Sequence, residues 1–120
     1  MAERRRTVRA VARIDVYDEG AHQKRVPLYI SGNVSAGGIF LITNEPFEPG
    51  TEMKISFTLP DDREPINTVG QVIWKRQGRE AADRQPGMGV QFHEISREDH
   101  ERVRAFVYEQ AEKGNIVEED

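Results

Sequence analysis

The chain has 120 residues, which is enough for one domain with its own core. Apolar residues make up 37% of the chain and charged residues 32%, so the core is thin, and this favours a small β structure over a layered α/β enzyme. The formal net charge of -4 argues against a general binder of nucleic acid polymers, and the absence of cysteine excludes disulfides, thiolate zinc sites and a cysteine nucleophile.

The hydropathy and charge patterns bear on location and partner. No stretch reaches the ~18 apolar residues of a membrane span, and MAERRR is not followed by the apolar run of a secretory signal. We therefore expect a cytoplasmic protein without membrane insertion. Five arginines fall within the first 13 residues, whereas the last three residues are acidic. A basic segment on an acidic body predicts a small or local anionic partner rather than a long polyanion.

Six segments have the hydropathy patterns typical of β-strands. In chain order they are 8–16, 25–31, 39–43, 52–59, 66–75 and 88–92. Pro27 predicts that the second strand lies at a sheet edge, because proline cannot donate a hydrogen bond to a neighbouring strand. Glycine, proline, aspartate and asparagine separate the segments, and the polar stretch from Gln77 to Pro86 is expected to be a loop.

The pattern changes to helical spacing after the sixth strand. Ser96 followed three residues later by Asp99 resembles a capping box, and Gly114 is placed to end the helix. The apolar positions between them fall on one helical face: Val103, Phe106 and Val107. The sequence predicts an all-β fold, a six-stranded antiparallel β-barrel with a C-terminal α-helix. A β-sandwich is the alternative, because the strand pattern alone does not decide closure.

The sequence carries no strong signal of an enzyme. The histidines at positions 22, 93 and 100 have no partner at metal-ligand spacing, and the acidic residues at 61–64 lack the pattern of a calcium loop. A phosphate-binding glycine loop, a G-x-S-x-G motif and a dinucleotide fingerprint are all absent. We therefore predict no catalytic residue, no metal and no cofactor.

The arginine cluster at residues 4–9 is one candidate binding feature. Arg5 and Arg9 are four residues apart, so in an extended chain both point to one face, about 13 Å apart. Arginine pairs bidentately with phosphate oxygens and with guanine O6 and N7. The alternative is a solvated basic tail without a ligand.

The segment Gly32–Gly38 is the second candidate feature. Asn33 and Ser35 are two residues apart, so an extended backbone presents their amide and hydroxyl to the same side. The glycines at 37 and 38 allow close approach to the backbone. The alternative is an ordinary glycine-rich hairpin connection.

Together the two features resemble the two-part signature of the PilZ domain. The first part is R-x-x-x-R at Arg5 and Arg9, and the second is N-x-S-x-x-G from Asn33 to Gly38, where asparagine in place of aspartate lies within the family's pattern. The likeness continues through 38–41, 49–50, 70–74 and 87–92 and thus spans nearly the whole chain, which looks like a free-standing PilZ domain.

The resemblance implies a six-stranded barrel with a C-terminal helix that binds the bacterial second messenger cyclic di-GMP. It divides the chain into a flexible arginine-rich arm (1–9), a body of barrel and helix (8–113) and an acidic tail (114–120). Its implied ligand-binding residues are Arg5 and Arg9 as the clamp, Arg4 as a helper, Asn33 and Ser35 for a guanine and its backbone, Gly38 for space and Trp74 beside a base. For Trp74 the alternative is a large residue that covers the barrel.

The function implied is that of a cyclic di-GMP receptor, which we expect to signal to an unidentified effector protein when the ligand orders the arm. The setting implied is a bacterial cytoplasm, with motility, surface attachment or matrix production as outputs. An alternative is a PilZ-fold adaptor in motility regulation that acts through protein contacts and does not bind nucleotide. A barrel that grips single-stranded nucleic acid is disfavoured, because only 8% of the residues are aromatic and the net charge is negative.

Overall fold

The computed structural model describes residues 7–11, 14–18, 27–60, 62–77 and 85–119. These residues form a mainly antiparallel β structure with one long helix near the C-terminus, as the sequence predicts. The elements are β1 (Thr7–Val11), β2 (Asp15–Asp18), β3 (Pro27–Ser35), β4 (Gly38–Ile42), β5 (Glu52–Phe57), β6 (Ile66–Arg76), β7 (Gly87–Glu94), α1 (Arg97–Glu112) and β8 (Ile116–Glu119).

The strands follow the order β2-β5-β6-β7-β4-β3-β1-β8 in one sheet, and β2 also pairs with β3. β2 therefore has a hydrogen-bonded neighbour on each side, since Val16 pairs with Phe57 of β5 and with Tyr29 of β3. β1 and β8 continue the sheet beyond β3. The predicted count of six strands is wrong, because the described part of the chain contains eight.

One of the two extra strands comes from division of the first predicted strand. Every second residue from 8 to 16 is apolar in sequence, but β1 pairs with β3 and β8 whereas β2 pairs with β3 and β5. Ala10, Ile14 and Val16 are all buried. The hydropathy pattern continues because β1 and β2 both direct even-numbered residues, Ala10 and Val16, toward the core. The pattern does not report where the neighbouring strand changes.

The other extra strand lies where an acidic tail was expected. β8 pairs antiparallel with β1, from Thr7 opposite Glu119 to Ala10 opposite Ile116. Residues 116–119 thus belong to the sheet. Residues 7–9 of the expected arm lie in β1, and residues 1–6 lie outside the described part of the chain.

The edge position predicted for the second strand is also wrong. β3 has β4 on one side and both β1 and β2 on the other. Pro27 is its first residue and pairs with Tyr17 next to a register shift in β2. A proline at the start of a strand, beside an irregularity, removes little from the ladder.

The core lies between the inner face of the sheet and α1. Its largest fully buried side chains come from every strand from β2 to β7 and from the helix: Phe57, Ile39, Leu41, Ile55, Ile66, Met88, Val16, Val34, Val72, Val90 and Val103. Phe106 and Val107 are buried as well, so the predicted apolar face of the helix is confirmed.

Both predicted ends of the helix are confirmed. Ser96 is the N-cap, and its Oγ accepts a hydrogen bond from the Asp99 amide at 3.0 Å. The helix ends before Gly114, which has φ +80°, in the left-handed region that glycine adopts without strain. Within the described residues, no helix combines the length and apolarity needed to cross a bilayer.

Candidate functional site

Arg9 lies on the outer face of the sheet, the face opposite the core. Its neighbour Ala10 is fully buried and pairs with Val34 of β3. Because side chains alternate along a strand, this register turns Arg9 away from the core and places it beside the end of β3. Asn33 and Ser35 flank the buried Val34 and therefore lie on the same outer face as Arg9.

Hydrogen bonds join the two motif segments at this point. Arg9 donates through Nε to Asn33 Oδ1 and through Nη1 to Ser35 Oγ, the latter at 3.2 Å. The two acceptors lie 24 and 26 residues from Arg9 in sequence. Ser35 is buried, and its hydroxyl also donates to the Gly38 carbonyl at 3.4 Å. The planar guanidinium fork thus contacts both polar side chains of the N-x-S-x-x-G segment at once.

Gly38 is required at the start of β4 by close packing of backbones. It pairs with Ser35 of β3 on one side and with Gln91 of β7 on the other. A Cβ built at this position would lie 2.4 Å from the Val90 carbonyl oxygen. Glycine is thus needed here so that β7 can pack against β4, and the ligand-binding role assigned to Gly38 from sequence stays a prediction.

Trp74 lies on the same outer face as Arg9, Asn33 and Ser35, but farther along the sheet. A row of paired residues runs from Asn33 through Phe40 and Gly89 to Trp74, across β3, β4, β7 and β6. At the usual spacing of ~4.8 Å between strands, three steps separate Asn33 from Trp74 by about 14 Å. The indole covers Gly89, because a Cβ there would collide with its ring.

Trp74 belongs to an aromatic cluster with Phe40 and Arg76. The rings of Phe40 and Trp74 stack at 5.4 Å between centroids, and the Arg76 guanidinium lies 5.2 Å and 5.3 Å from the two centroids. Arg76 is held in turn by donation from Nε to the Gln85 carbonyl at 3.0 Å. Phe40 is buried while Trp74 remains 38% exposed, so the cluster offers an indole and a cation to solvent.

Sequence reasoning did not select Phe40 and Arg76. Phe40 lies in an apolar run without alternation, so its outward direction follows only from the burial of Ile39 and Leu41 on either side. Arg76 lies two residues after Trp74 on the same strand, so alternation places both side chains on one face of the sheet. This spacing was the sequence signal that could have identified Arg76.

The seven residues assigned to ligand binding fall into three groups. Arg9, Asn33, Ser35 and Gly38 lie together, as the motif predicts. Trp74 lies on the same face, three strands from β3. Arg4 and Arg5 lie outside the described part of the chain.

A second ionic cluster lies away from this face and fastens α1 to the segment after β5. Arg102 donates to Asp62 Oδ2 at 2.6 Å and 3.0 Å, and to Asp99 Oδ1 at 2.8 Å. The hydrogen bond from Arg102 lowers the pKa of Asp62, and the same pairing raises the pKa of Arg102. The described residues contain no group of three or more histidine, aspartate or glutamate side chains placed to hold a metal ion.

Comparisons with known proteins agree with this architecture. The family model of the PilZ domain matches residues 3–109. The chain is similar to the Bacillus subtilis inhibitor of motility MotI/DgrA, with a TM-score of 0.76 and 22% identity over 93% of this chain and 53% of that one, so it spans about half the length of that protein. It is also similar to the PilZ domain of Escherichia coli YcgR, solved with cyclic di-GMP, with a TM-score of 0.66 and 13% identity over 94% and 95% of the two chains. A comparison with curated proteins found no match.

Proposed function

The chain belongs to the PilZ domain family, and we propose that it binds cyclic di-GMP at the outer-face site formed by Arg9, Asn33, Ser35 and Gly38. The observation that carries the proposal is the pair of hydrogen bonds from Arg9 to Asn33 and Ser35. These bonds join the two halves of the family's binding signature, which are far apart in sequence. If the two motif matches had arisen by chance, there would be no reason for their side chains to be in contact in the fold.

The chemistry of the site suits a compact dianion that carries two guanines. Arginine offers a rigid fork of donors that matches phosphate oxygens and the O6 and N7 edge of guanine. Asn33 supplies both an acceptor and donors for a base edge, and Ser35 supplies a hydroxyl. The formal net charge is -4, so attraction to the ligand is local to the arginine segment and should weaken with added salt.

Three further residues are assigned to the ligand in this proposal. Arg5 acts with Arg9 as the clamp and Arg4 assists, since both immediately precede β1 in sequence. Trp74 lies beside a base, supported by its exposed indole on the same face as Asn33. Three bidentate pairs would contribute about 3–9 kcal/mol and ordering the arm costs about 2–5 kcal/mol. Base contacts with the sheet supply the remainder, so we expect affinity in the micromolar range, about 8 kcal/mol.

Binding is proposed to act as a signal rather than as a step in catalysis. Contacts with the ligand order the N-terminal arginine-rich arm, and the remade surface is recognised by an effector protein in the bacterial cytoplasm. The similarity to MotI, an inhibitor of motility by its description, makes motility the first output to examine.

Calorimetric titration with cyclic di-GMP and, separately, cyclic di-AMP tests the proposal. The two ligands share the ring of phosphates and differ in the bases, so guanine readout predicts at least tenfold tighter binding of cyclic di-GMP. An Arg5→Ala, Arg9→Ala variant should lose the binding heat, whereas an Arg97→Ala, Arg104→Ala variant removes the same charge from α1 and should keep it. Equal heats for both ligands, or unchanged binding by the first variant, would refute the proposal.

A protein adaptor that does not bind nucleotide is the second candidate. It is favoured by two consecutive apolar side chains on the surface of β6, Ile73 at 50% and Trp74 at 38% exposure, at a shift in the β6–β7 register. An adaptor predicts that motility control in the source bacterium survives Arg9→Ala with Ser35→Ala and fails with Ile73→Asp. The receptor predicts the opposite pattern.

The barrel expected from the family is also a proposal. It is supported by the two-sided pairing of β2, which connects β5 to β3 and would close six strands, β2 to β7, into a ring. Closure predicts that Val16 and Tyr17 amides both resist hydrogen exchange. In an open sheet, one of two adjacent amides on an edge strand points to solvent and exchanges quickly.

A further inference from the structure

β1, the strand that carries Arg9, has different neighbours along its length. β3 pairs with it at Ala10 and Val11. β8 pairs with it from Thr7 to Ala10, and the residue opposite Arg9 is Val117. In the described ladders, therefore, Thr7, Val8 and Arg9 take their strand partners from β8.

β3 has no strand backbone to offer Thr7 and Val8 of β1. The strand ends at Ser35, and residues 36 and 37 turn the chain into β4. A continued antiparallel register would place Arg9 opposite Ser35, the last residue of β3, and would need residues 36 and 37 in extended conformation opposite Val8 and Thr7. The turn that begins β4 removes them, so the N-terminal half of β1 depends on a strand from elsewhere in the chain.

The end of α1 directs the chain to β1. Gly114 has φ +80°, and the Asn115 amide donates to the Gln110 carbonyl at 2.9 Å, which closes the turn at the end of the helix. Asn115 Nδ2 also donates to Gln110 Oε1 at 3.1 Å. The next residue begins β8. The helix packs against β1, so this turn returns the chain to the strand that the helix already touches.

We propose that β8 is a positioning strand for the arginine segment. It holds residues 7–9 extended, which places the Arg9 guanidinium at Asn33 and Ser35. The binding part of this inference rests on the proposed function, whereas the holding of β1 does not.

Without β8, the entropy cost of ordering residues 7–9 would arise on ligand binding rather than during folding. Residues 7–9 would lose the strand that keeps them extended, so the ligand would have to order them. Each residue ordered on binding opposes affinity, and three more should weaken cyclic di-GMP binding by about tenfold or more.

Three variants separate this role from a role of the acidic charges in β8. Truncation after Asn115 removes the strand. A Val117→Pro, Glu118→Pro variant keeps the length, but since N–H groups alternate in direction along a strand, it removes one donor facing β1. A Glu118→Gln, Glu119→Gln variant keeps the strand and removes two charges, and it is the matched control.

Hydrogen–deuterium exchange of the protein without ligand gives the first readout. The truncated and double-proline variants should exchange the amides of residues 7–10 at least tenfold faster, with β6 and β7 unchanged, while the double-glutamine control resembles the parent. Faster exchange throughout the sheet would indicate general destabilisation and overturn the proposal. Unchanged exchange at residues 7–10 would overturn it too.

Calorimetry with cyclic di-GMP gives the second readout, in the parent and in an Arg9→Ala background. A positioning role predicts that truncation weakens binding about tenfold in the parent and less than twofold once Arg9 is absent. Equal losses in both backgrounds would overturn it. Failure of the full chain to bind cyclic di-GMP would refute the proposed function, and the exchange result would still decide on its own whether β8 holds β1.

Discussion

Substitution of Gly38 by alanine tests how tightly β4 and β7 enclose the candidate site. The added Cβ would lie 2.4 Å from the Val90 carbonyl oxygen and 3.3 Å from the Gln91 Cα. Both are backbone atoms of β7, which pairs with β4 along its length and with β6 on its other side. No side-chain rotation can relieve this contact, so the strands themselves must separate.

The required movement sets the size of the effect. To reach an ordinary contact distance of about 3.4 Å, β4 and β7 must separate by about 1 Å at this point. Overpacking of this kind costs about 1–3 kcal/mol of folding free energy. For a domain of this size the melting temperature should fall by roughly 3–15 °C. Gly38 pairs with Ser35, and its carbonyl accepts a hydrogen bond from the Ser35 hydroxyl, so the shift should also displace Ser35 from Arg9 and weaken cyclic di-GMP binding at least fivefold.

The neighbouring glycine supplies a matched control for the assay. A Cβ at Gly37 has nothing within 4 Å, and the residue is exposed, so Gly37→Ala should stay within about 0.5 kcal/mol of the parent. Urea and thermal unfolding of both variants, followed by calorimetry, measure the difference. Equal stability of Gly37→Ala and Gly38→Ala would refute the packing argument. A destabilised Gly38→Ala that binds the ligand normally would refute the link from Gly38 to the site.

Three further predictions concern individual side chains. Arg9→Lys should lose most of the cyclic di-GMP affinity in a calorimetric titration, because one ammonium cannot replace two guanidinium nitrogens that reach two separate acceptors; an affinity equal to the parent's would contradict this geometry. Trp74→Ala should weaken binding about fivefold to 100-fold if the indole stacks on a base, at about 1–3 kcal/mol per stacked base, and should leave affinity unchanged if it only covers the sheet. Asp62→Asn should lower the melting temperature at neutral pH, because the pKa of Asp62 is lowered in the folded protein. The charged carboxylate therefore stabilises the fold above the ordinary pKa near 3.8, and this stabilisation disappears as the pH falls below that value. Thermal unfolding of both proteins from pH 2.5 to 7 measures this, and a gap that stays constant down to pH 2.5 would contradict the role of the Arg102 pair.

Local patterns in the sequence predicted most elements of the fold. The strand phases, the Ser96 cap, the Gly114 stop and the buried helical face are confirmed because each depends on residues a few positions apart. The contact between Arg9 and Ser35 could be expected only through the family signature. Nothing in their spacing of 26 residues indicates proximity without knowledge of the β1–β3 register.

The errors have a common physical origin in strand pairing. Pro27 was assigned to an edge strand because proline has no N–H donor, yet β3 lies inside the sheet. The missing donor is tolerated because Pro27 is the first residue of β3 and lies beside a register shift. Apolar residues recur at every second position from 8 to 16 across a change of strand partners. The acidic C-terminal residues led to the expectation of a tail at 114–120, whereas residues 116–119 form β8, which pairs with β1 through its backbone, and composition does not report backbone pairing.

The order of residues along the chain determined which side chains face inward, where the helix begins and ends, and that an arginine segment and an asparagine–serine segment are both present. These properties follow from the periods of strand and helix and from caps and turns, all of which act over fewer than ten residues. The tertiary structure decided which strands become neighbours. Hydrogen bonds between strands are made by backbones that every sequence shares, so only the packed fold brings Arg9 to Ser35, aligns Phe40 with Trp74 and places β8 beside β1.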